Sequence, residues 1–156
     1  MKIILNTEVP GNHRDVMEAF DRELFEALKP KGAKMEIVRF TGSKKGDEVH
    51  LRFLFPFRVE WISKITDDHL DDKIAWFVDE GVVLPPGLKS WKHRHIVKRI
   101  DDRRSMIIDD MTYQGSNFLI GLLLYPALYL AFYPRKARYR TYFTRLHKQR
   151  QQNERE

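Results

Sequence analysis

WKHRHIVKRI (Trp91–Ile100) and SMIIDDMTY (Ser105–Tyr113), joined by Asp101-Asp102-Arg103-Arg104, decide how this chain is read. Side chains alternate across a strand, so Trp91, His93, His95 and Val97 share one face, and Lys92, Arg94, Ile96 and Lys98 share the other. The second set is mostly cationic and is expected to meet water, which turns both histidines inward. On the following stretch Ile107, Asp109, Met111 and Tyr113 share a face. If Val97 pairs with Ile107, His95 falls opposite Asp109 and Trp91 opposite Tyr113. Directly opposed residues have Cβ atoms about 4.5–5.5 Å apart, within reach of an imidazole–carboxylate hydrogen bond. A one-residue slip would scramble both faces.

Upstream, the alternation continues. Met35–Thr41 reads as a strand closed by Gly42-Ser43-Lys44-Lys45-Gly46. Val49, Leu51, Phe53 and Phe55 then share a face against His50 and Arg52, and Phe57, Val59 and Trp61 carry the pattern past Pro56. Ile74, Trp76 and Val78 alternate before Asp79-Glu80-Gly81. Residues 2–9 form a first strand, broken by Pro10-Gly11, with Asn12 placed as a helix N-cap. Val16, Phe20 and Leu24 fall at helical spacing, and a break near Asp21 divides this region into two short helices. The spacing of strands and turns predicts an antiparallel meander of six or seven strands.

The last element is FLIGLLLYPALYLAFY, residues 118–133, sixteen residues without a charge. That is short of the roughly 20 needed to span a bilayer. A C-terminal helix buried against the sheet is expected. Because it is apolar all round, its back also needs a cover: the N-terminal helices, a ligand, a partner subunit or a membrane surface.

The chain has 156 residues, room for one core, with 42% hydrophobic and 32% charged residues. The absence of cysteine excludes disulfides and thiolate metal sites and fits a reducing compartment. The apolar run Met1-Lys2-Ile3-Ile4-Leu5 is too short for a signal peptide, so a cytoplasmic location is expected, with membrane association as an alternative. Net charge is +6, and residues 134–156 hold eight cations against two anions, leaving the body neutral. This basic segment reads as a solvated helix end, or as an attraction to anionic lipid head groups. No nucleic-acid motif accompanies it.

The order of elements is strand, two short helices, meander, long helix. It describes an α+β helix-grip fold, a curved sheet around a long C-terminal helix. The chain resembles the SRPBCC superfamily, and within it the small bacterial ligand-binding SRPBCC domain group. The residues that carry the resemblance run from Gly46 to about Leu146. They include Trp61 and Ile65, Phe77-Val78-Asp79-Glu80-Gly81, Leu84-Pro85-Pro86, and Trp91-x-His93-x-His95. Asp109, Tyr113 and the helix residues Phe132, Arg135, Tyr139 and Arg140 complete them. The resemblance implies one domain over residues 1–150 with a polar tail at 151–156, and a hydrophobic pocket for a lipid-like or aromatic small molecule. It implies no single activity, because this fold hosts carriers, sensors and enzymes.

The expected cavity lies between the inner sheet face and the 118–133 segment. Trp61, Trp76, Trp91, His93, His95, Asp109, Tyr113, Leu122, Tyr125 and Tyr129 are the residues assigned to its ligand. Four readings of the histidines and Asp109 stay open: a self-satisfying buried pair, a polar handle for a ligand, catalysis, or metal ligation. In the catalytic reading Asp109 orients His95, which moves a proton. Neither a resident metal nor a cofactor is expected. Asp79 and Glu80 should point to opposite faces, at least one of them as a solvated turn residue. Binding or transport of a hydrophobic small molecule is the first functional expectation. A cyclase or dehydratase using the same cavity is the second. A membrane-peripheral or partner-binding protein, including a homodimer, is the third.

Overall fold

The structure, a computed structural model, describes residues 1–155. Strand β1 (Lys2–Pro10) is followed by helices α1 (His13–Glu18) and α2 (Arg22–Ala27). Six strands come next: β2 (Lys34–Phe40), β3 (Glu48–Phe55), β4 (Val59–Leu70), β5 (Ile74–Val83), β6 (Leu88–Arg99) and β7 (Arg104–Gly115). Helices α3 (Phe118–Phe132) and α4 (Arg135–Asn153) end the chain. The strands form one antiparallel sheet in the order β1-β7-β6-β5-β4-β3-β2. This is the expected α+β helix-grip architecture, with seven strands, and α4 continues past residue 150.

Local chemistry explains the helix starts. The Asn12 side chain accepts hydrogen bonds from the Arg14 and Asp15 amides, and Asp21 accepts from the Leu24 amide at 3.0 Å. Two caps so close together force the expected split into two helices. Asn117 caps α3 through the Ile120 amide at 2.9 Å. Just before it, a Cβ on Gly115 would lie 2.2 Å from the Gly121 nitrogen, so only glycine lets α3 fold back this tightly over β7.

The register of the β6–β7 hairpin is the one read from the sequence: Val97 opposite Ile107, His95 opposite Asp109, Trp91 opposite Tyr113. In β5 the faces are reversed from expectation. Phe77 pairs with His95 and Trp76 with Ile96, so Ala75, Phe77 and Asp79 face inward while Trp76 faces outward. Both faces of β5 carry apolar residues, and alternation alone does not choose between them.

The inner sheet face holds two adjoining apolar clusters. Val9, Val16, Phe20, Leu24, Phe77, Val97 and Ile107 pack with Tyr139, Tyr142 and Phe143 of α4. Ile3, Leu5, Trp91, Met111 and Tyr113 pack with Leu124, Leu128 and Phe132 of α3. Burial of the terminal helix differs from expectation. The apolar segment α3 buries only Gly121, whereas the charged segment α4 buries three aromatic residues. Residues Tyr139, Tyr142 and Phe143 recur at helical spacing and make one inward stripe, which packs with Val16, Phe20 and Leu24 of the N-terminal helical region, whereas the outer face of α3 stays open.

Candidate functional site: a cavity above a buried His–Asp quartet

Between the sheet and the α3–α4 junction lies a cavity of about 270 Å³. Its walls are apolar: Val49, Leu51 and Phe53 of β3, Trp61 of β4, Trp91 of β6, and Leu128, Ala131 and Phe132 of α3. The Val49–Leu51–Phe53 alternation supplies one wall because each of these residues points inward from β3. Polar lining residues are contiguous across neighbouring elements: Ser63, Asp79, His93, His95 and Arg135. At the small end of ligand-pocket volumes, this space suits a compact molecule.

Two histidines and two aspartates form a buried quartet at the polar side. His93 Nε2–H donates to Asp109 Oδ1 at 2.9 Å, and His95 Nε2–H donates to Asp79 Oδ2 at 2.8 Å. Each Nδ1 lies 3.8 Å from the other carboxylate, His93 from Asp79 and His95 from Asp109. The imidazoles overlap with ring centres 3.7 Å apart, and Phe77 stacks on His95 at 4.3 Å. The Trp91 indole N–H donates to Asp79 Oδ1 at 3.1 Å, and the Tyr139 hydroxyl donates to Asp109 Oδ1 at 3.4 Å. His95 Nδ1 is buried without a hydrogen-bond partner.

Burial opposes charge on Asp79, but the hydrogen bond from His95, the neighbouring imidazoles and the Trp91 indole outweigh it and hold its carboxyl below the ordinary range. Asp109 is likewise lowered: burial pushes it up, and His93, His95 and Arg135 pull it further down. Burial and the neighbouring His93 depress His95 to about 4, leaving a neutral imidazole at pH 7. The Tyr139 hydroxyl is raised well above its usual value by burial and by Asp109.

Among the residues assigned from sequence, Trp61, Trp91, His93 and His95 line the cavity. Asp109 sits behind His93 and does not itself line it. Trp76 does not belong to the site: it lies on the outer face, stacked on His69 at 5.6 Å with the Arg94 guanidinium 4.3 Å above it. Tyr113 is buried under α3, and its hydroxyl donates to the Gly121 carbonyl at 2.9 Å, away from the cavity. Leu122 and Tyr125 point outward from α3 and are exposed. Tyr129 is half-buried, stacked between Tyr125 and Tyr133, and stays outside the lining. The stripe that reaches the cavity is Leu128, Ala131, Phe132 and Arg135, a different helical phase from 122, 125 and 129.

Asp79 is a site residue that the alternation pattern does not reveal. Beside Glu80 and Gly81 it reads as the end of a strand, but β5 continues to Val83, so Asp79 is buried while Glu80 pairs with Lys92 at 3.1 Å on the other face. The available signal was its spacing two residues after Phe77. The compact set of ligand-type atoms is also Asp79, His93 and His95, all within 4.8 Å of one another, and not the set containing Asp109. Imidazole and carboxylate donors suit a zinc-type ion. Both Nε2 atoms already serve carboxylates, so a metal would have to exchange these hydrogen bonds for coordination.

No family model matches the chain, and no curated protein matches its sequence. Solved structures do match in shape. The Zhui aromatase/cyclase from Streptomyces sp. R1128 superposes with a TM-score of 0.64 at 12% identity, over 88% of this chain and 90% of that one. Norcoclaurine synthase from Thalictrum flavum gives 0.60 at 17% identity, over 81% and 82%. A hypothetical protein from Helicobacter pylori gives 0.59 at 13% identity, over 92% and 88%. The chain has the helix-grip fold. The likeness agrees with the SRPBCC resemblance read from the sequence, and at these identities it speaks for architecture.

Proposed function

We propose that the protein binds a compact apolar small molecule carrying one polar group, held in the cavity between the sheet and the α3–α4 junction. One observation carries this reading: apolar walls enclose a space whose polar lining gathers beside the quartet. The apolar body of the ligand would lie against Leu51, Trp61, Trp91 and Phe132. Its polar group would meet the Arg135 guanidinium and the Ser63 hydroxyl, both able to donate, because the Nε2–H groups of both histidines are taken by carboxylates. A carbonyl or carboxylate fits that donor set. The fold neighbours support a small-molecule partner, one being norcoclaurine synthase in complex with dopamine and hydroxybenzaldehyde.

Native mass spectrometry of protein purified from its own host should reveal a retained small organic molecule. An apolar fluorescent probe should bind at roughly micromolar strength, about −8 kcal/mol. Leu51→Trp, which fills the space, should abolish that binding. A folded protein that binds no apolar probe, or a filled variant that binds it unchanged, overturns the reading.

A second reading adds proton transfer on the same ligand, as in a cyclase or dehydratase. It is favoured by the unpartnered Nδ1 of His95 on a neutral imidazole. In this reading Asp79 orients His95, replacing the Asp109 role expected from sequence. With a substrate in hand, His95→Gln should lower turnover by about 10²–10⁴-fold while binding persists. Unchanged turnover removes the enzyme reading and leaves the binding one.

A further inference from the structure

The antiparallel meander sorts its connections to two ends, and the two ends differ in chemistry. The α2–β2, β3–β4, β5–β6 and β7–α3 connections share one end with Met1. Residues 27–35, 53–59, 81–91 and 111–136, which make up this end and α3, contain no Asp or Glu. They do contain Lys31, Lys34, Arg58 and Lys89, none of which has a carboxylate within 4 Å among the described residues. The opposite end carries Asp15, Asp47, Asp71, Asp72, Asp101 and Asp102 in or beside its connections.

The same end exposes large apolar side chains. Phe57 in the β3–β4 connection is 75% exposed, Val82 near the end of β5 is 58%, and Phe118, Leu119 and Leu123 on α3 are 76%, 68% and 70%. Large apolar side chains exposed together at one end of a molecule mark a candidate interaction site. The cavity wall away from the quartet comes from this end too, from Pro30, Met35, Phe53, Val59 and Pro85.

We propose that this end of the molecule docks on an anionic lipid bilayer, with the outer face of α3 in the headgroup layer and the cavity rim turned toward the lipid. Charge complementarity selects the occupant: Lys31, Lys34, Arg58 and Lys89, with no carboxylate within 4 Å among the described residues and at the same end as the exposed apolar side chains, match anionic head groups over acyl chains. A second copy of the same end would bring those cations face to face. The helix lies on the bilayer and does not cross it. Fifteen residues reach about 22 Å against a core of about 30 Å. Its inner side is also held to the sheet by Leu124, Leu128 and Phe132. The cations near the far end of α4 do not belong to this surface, since Arg145 lies 3.6 Å from Glu23 and Arg150 lies 2.9 Å from Asp15. The docking surface stands whether or not the cavity holds a ligand.

Vesicle sedimentation tests the proposal with full-length protein and no added ligand. Vesicles of three parts phosphatidylcholine to one part phosphatidylglycerol should bind the protein well above vesicles of phosphatidylcholine alone. Raising salt from about 0.1 M to about 1 M, which shortens the screening length from about 10 Å to about 3 Å, should weaken that binding. Leu119→Ser with Leu123→Ser should weaken it at least tenfold with an unchanged circular dichroism spectrum. Phe57→Ser, on a separate connection, should act in the same direction and guards against a folding defect in the helix variant. Lys31→Gln, Lys34→Gln and Lys89→Gln should each cost roughly fivefold on the anionic vesicles alone. Arg145→Gln with Arg150→Gln should leave binding as it was. Failure of the wild type to bind anionic vesicles overturns the proposal, as does binding that survives the leucine and phenylalanine changes. A dimer in sedimentation equilibrium that Leu123→Ser dissolves, with no vesicle binding, assigns the surface to a second copy and also overturns it.

Discussion

Helices α3 and α4 follow one another along the same sheet and contradict their own compositions. The first is fifteen residues without a charge, yet its outer side is open to solvent. The second is rich in arginine and lysine, yet Tyr139, Tyr142 and Phe143 are buried, Tyr139 and Phe143 among the largest fully buried side chains. The share of apolar residues therefore did not choose which helix the sheet grips. Spacing did: α4 has one apolar stripe, which packs on the sheet and against Val16, Phe20 and Leu24, and a polar back that water can cover.

The contrast can be broken most directly by truncation. Phe143→Ala should cost about 3–5 kcal/mol in urea unfolding, the usual loss for a buried phenylalanine. A loss below about 1 kcal/mol would mean that α4 is not the gripped helix. Next comes acidity, because the quartet lies under the α3–α4 junction. The folded-state pKa of His95, about 4, is below its ordinary 6.5. The unfolded chain thus binds more protons between those values. Stability should be full above pH 6.5 and should fall, by about 3 kcal/mol, as pH drops toward 4. Asp79 and Asp109, held below 3.8, add further loss only below that value. In His95→Gln the slope between pH 6.5 and 4 should flatten, and a slope that persists would place the titration elsewhere.

Asp79→Ala should cost about 1–3 kcal/mol at pH 7, since it strips the hydrogen-bond acceptor from both His95 and the Trp91 indole. Replacing Asp79 and His95 together by apolar residues of similar volume should cost less than the sum of the single changes. Strict additivity in that cycle would deny the pair its coupling. The smallest effect is expected on α3: Leu123→Ala should stay within about 0.5 kcal/mol, as for a surface position. A loss as large as that of Phe143→Ala would show that α3 is covered in solution.

The quartet shows how far a sequence reading reaches. Alternation along 91–100 and 105–113 sufficed for the faces and the register, because a slip of one residue would invert every side chain. It did not give the hydrogen bonds. His95 stands opposite Asp109, and its near nitrogen, Nδ1, is 3.8 Å from that carboxylate. The far nitrogen, Nε2, extends past the neighbouring strand position to Asp79, which stands opposite His93. A side chain as long as histidine bonds diagonally, and only three-strand geometry reveals the diagonal partner.

By itself, then, the sequence determined most of the elements, the antiparallel meander, the β6–β7 register and the inward histidines, though not the break between α3 and α4 or the length of β4. All of these follow from local periodicity, capping and turn chemistry, which depend on neighbours a few residues away. Only the tertiary structure decided that Trp76 faces outward, that Asp79 belongs with the histidines, and that Leu128, Ala131 and Phe132 replace Leu122, Tyr125 and Tyr129 at the cavity. Each of these depends on what packs from a distant part of the chain. A strand apolar on both faces and a helix apolar all round carry no internal mark of their buried side, so the choice falls to the surfaces they meet.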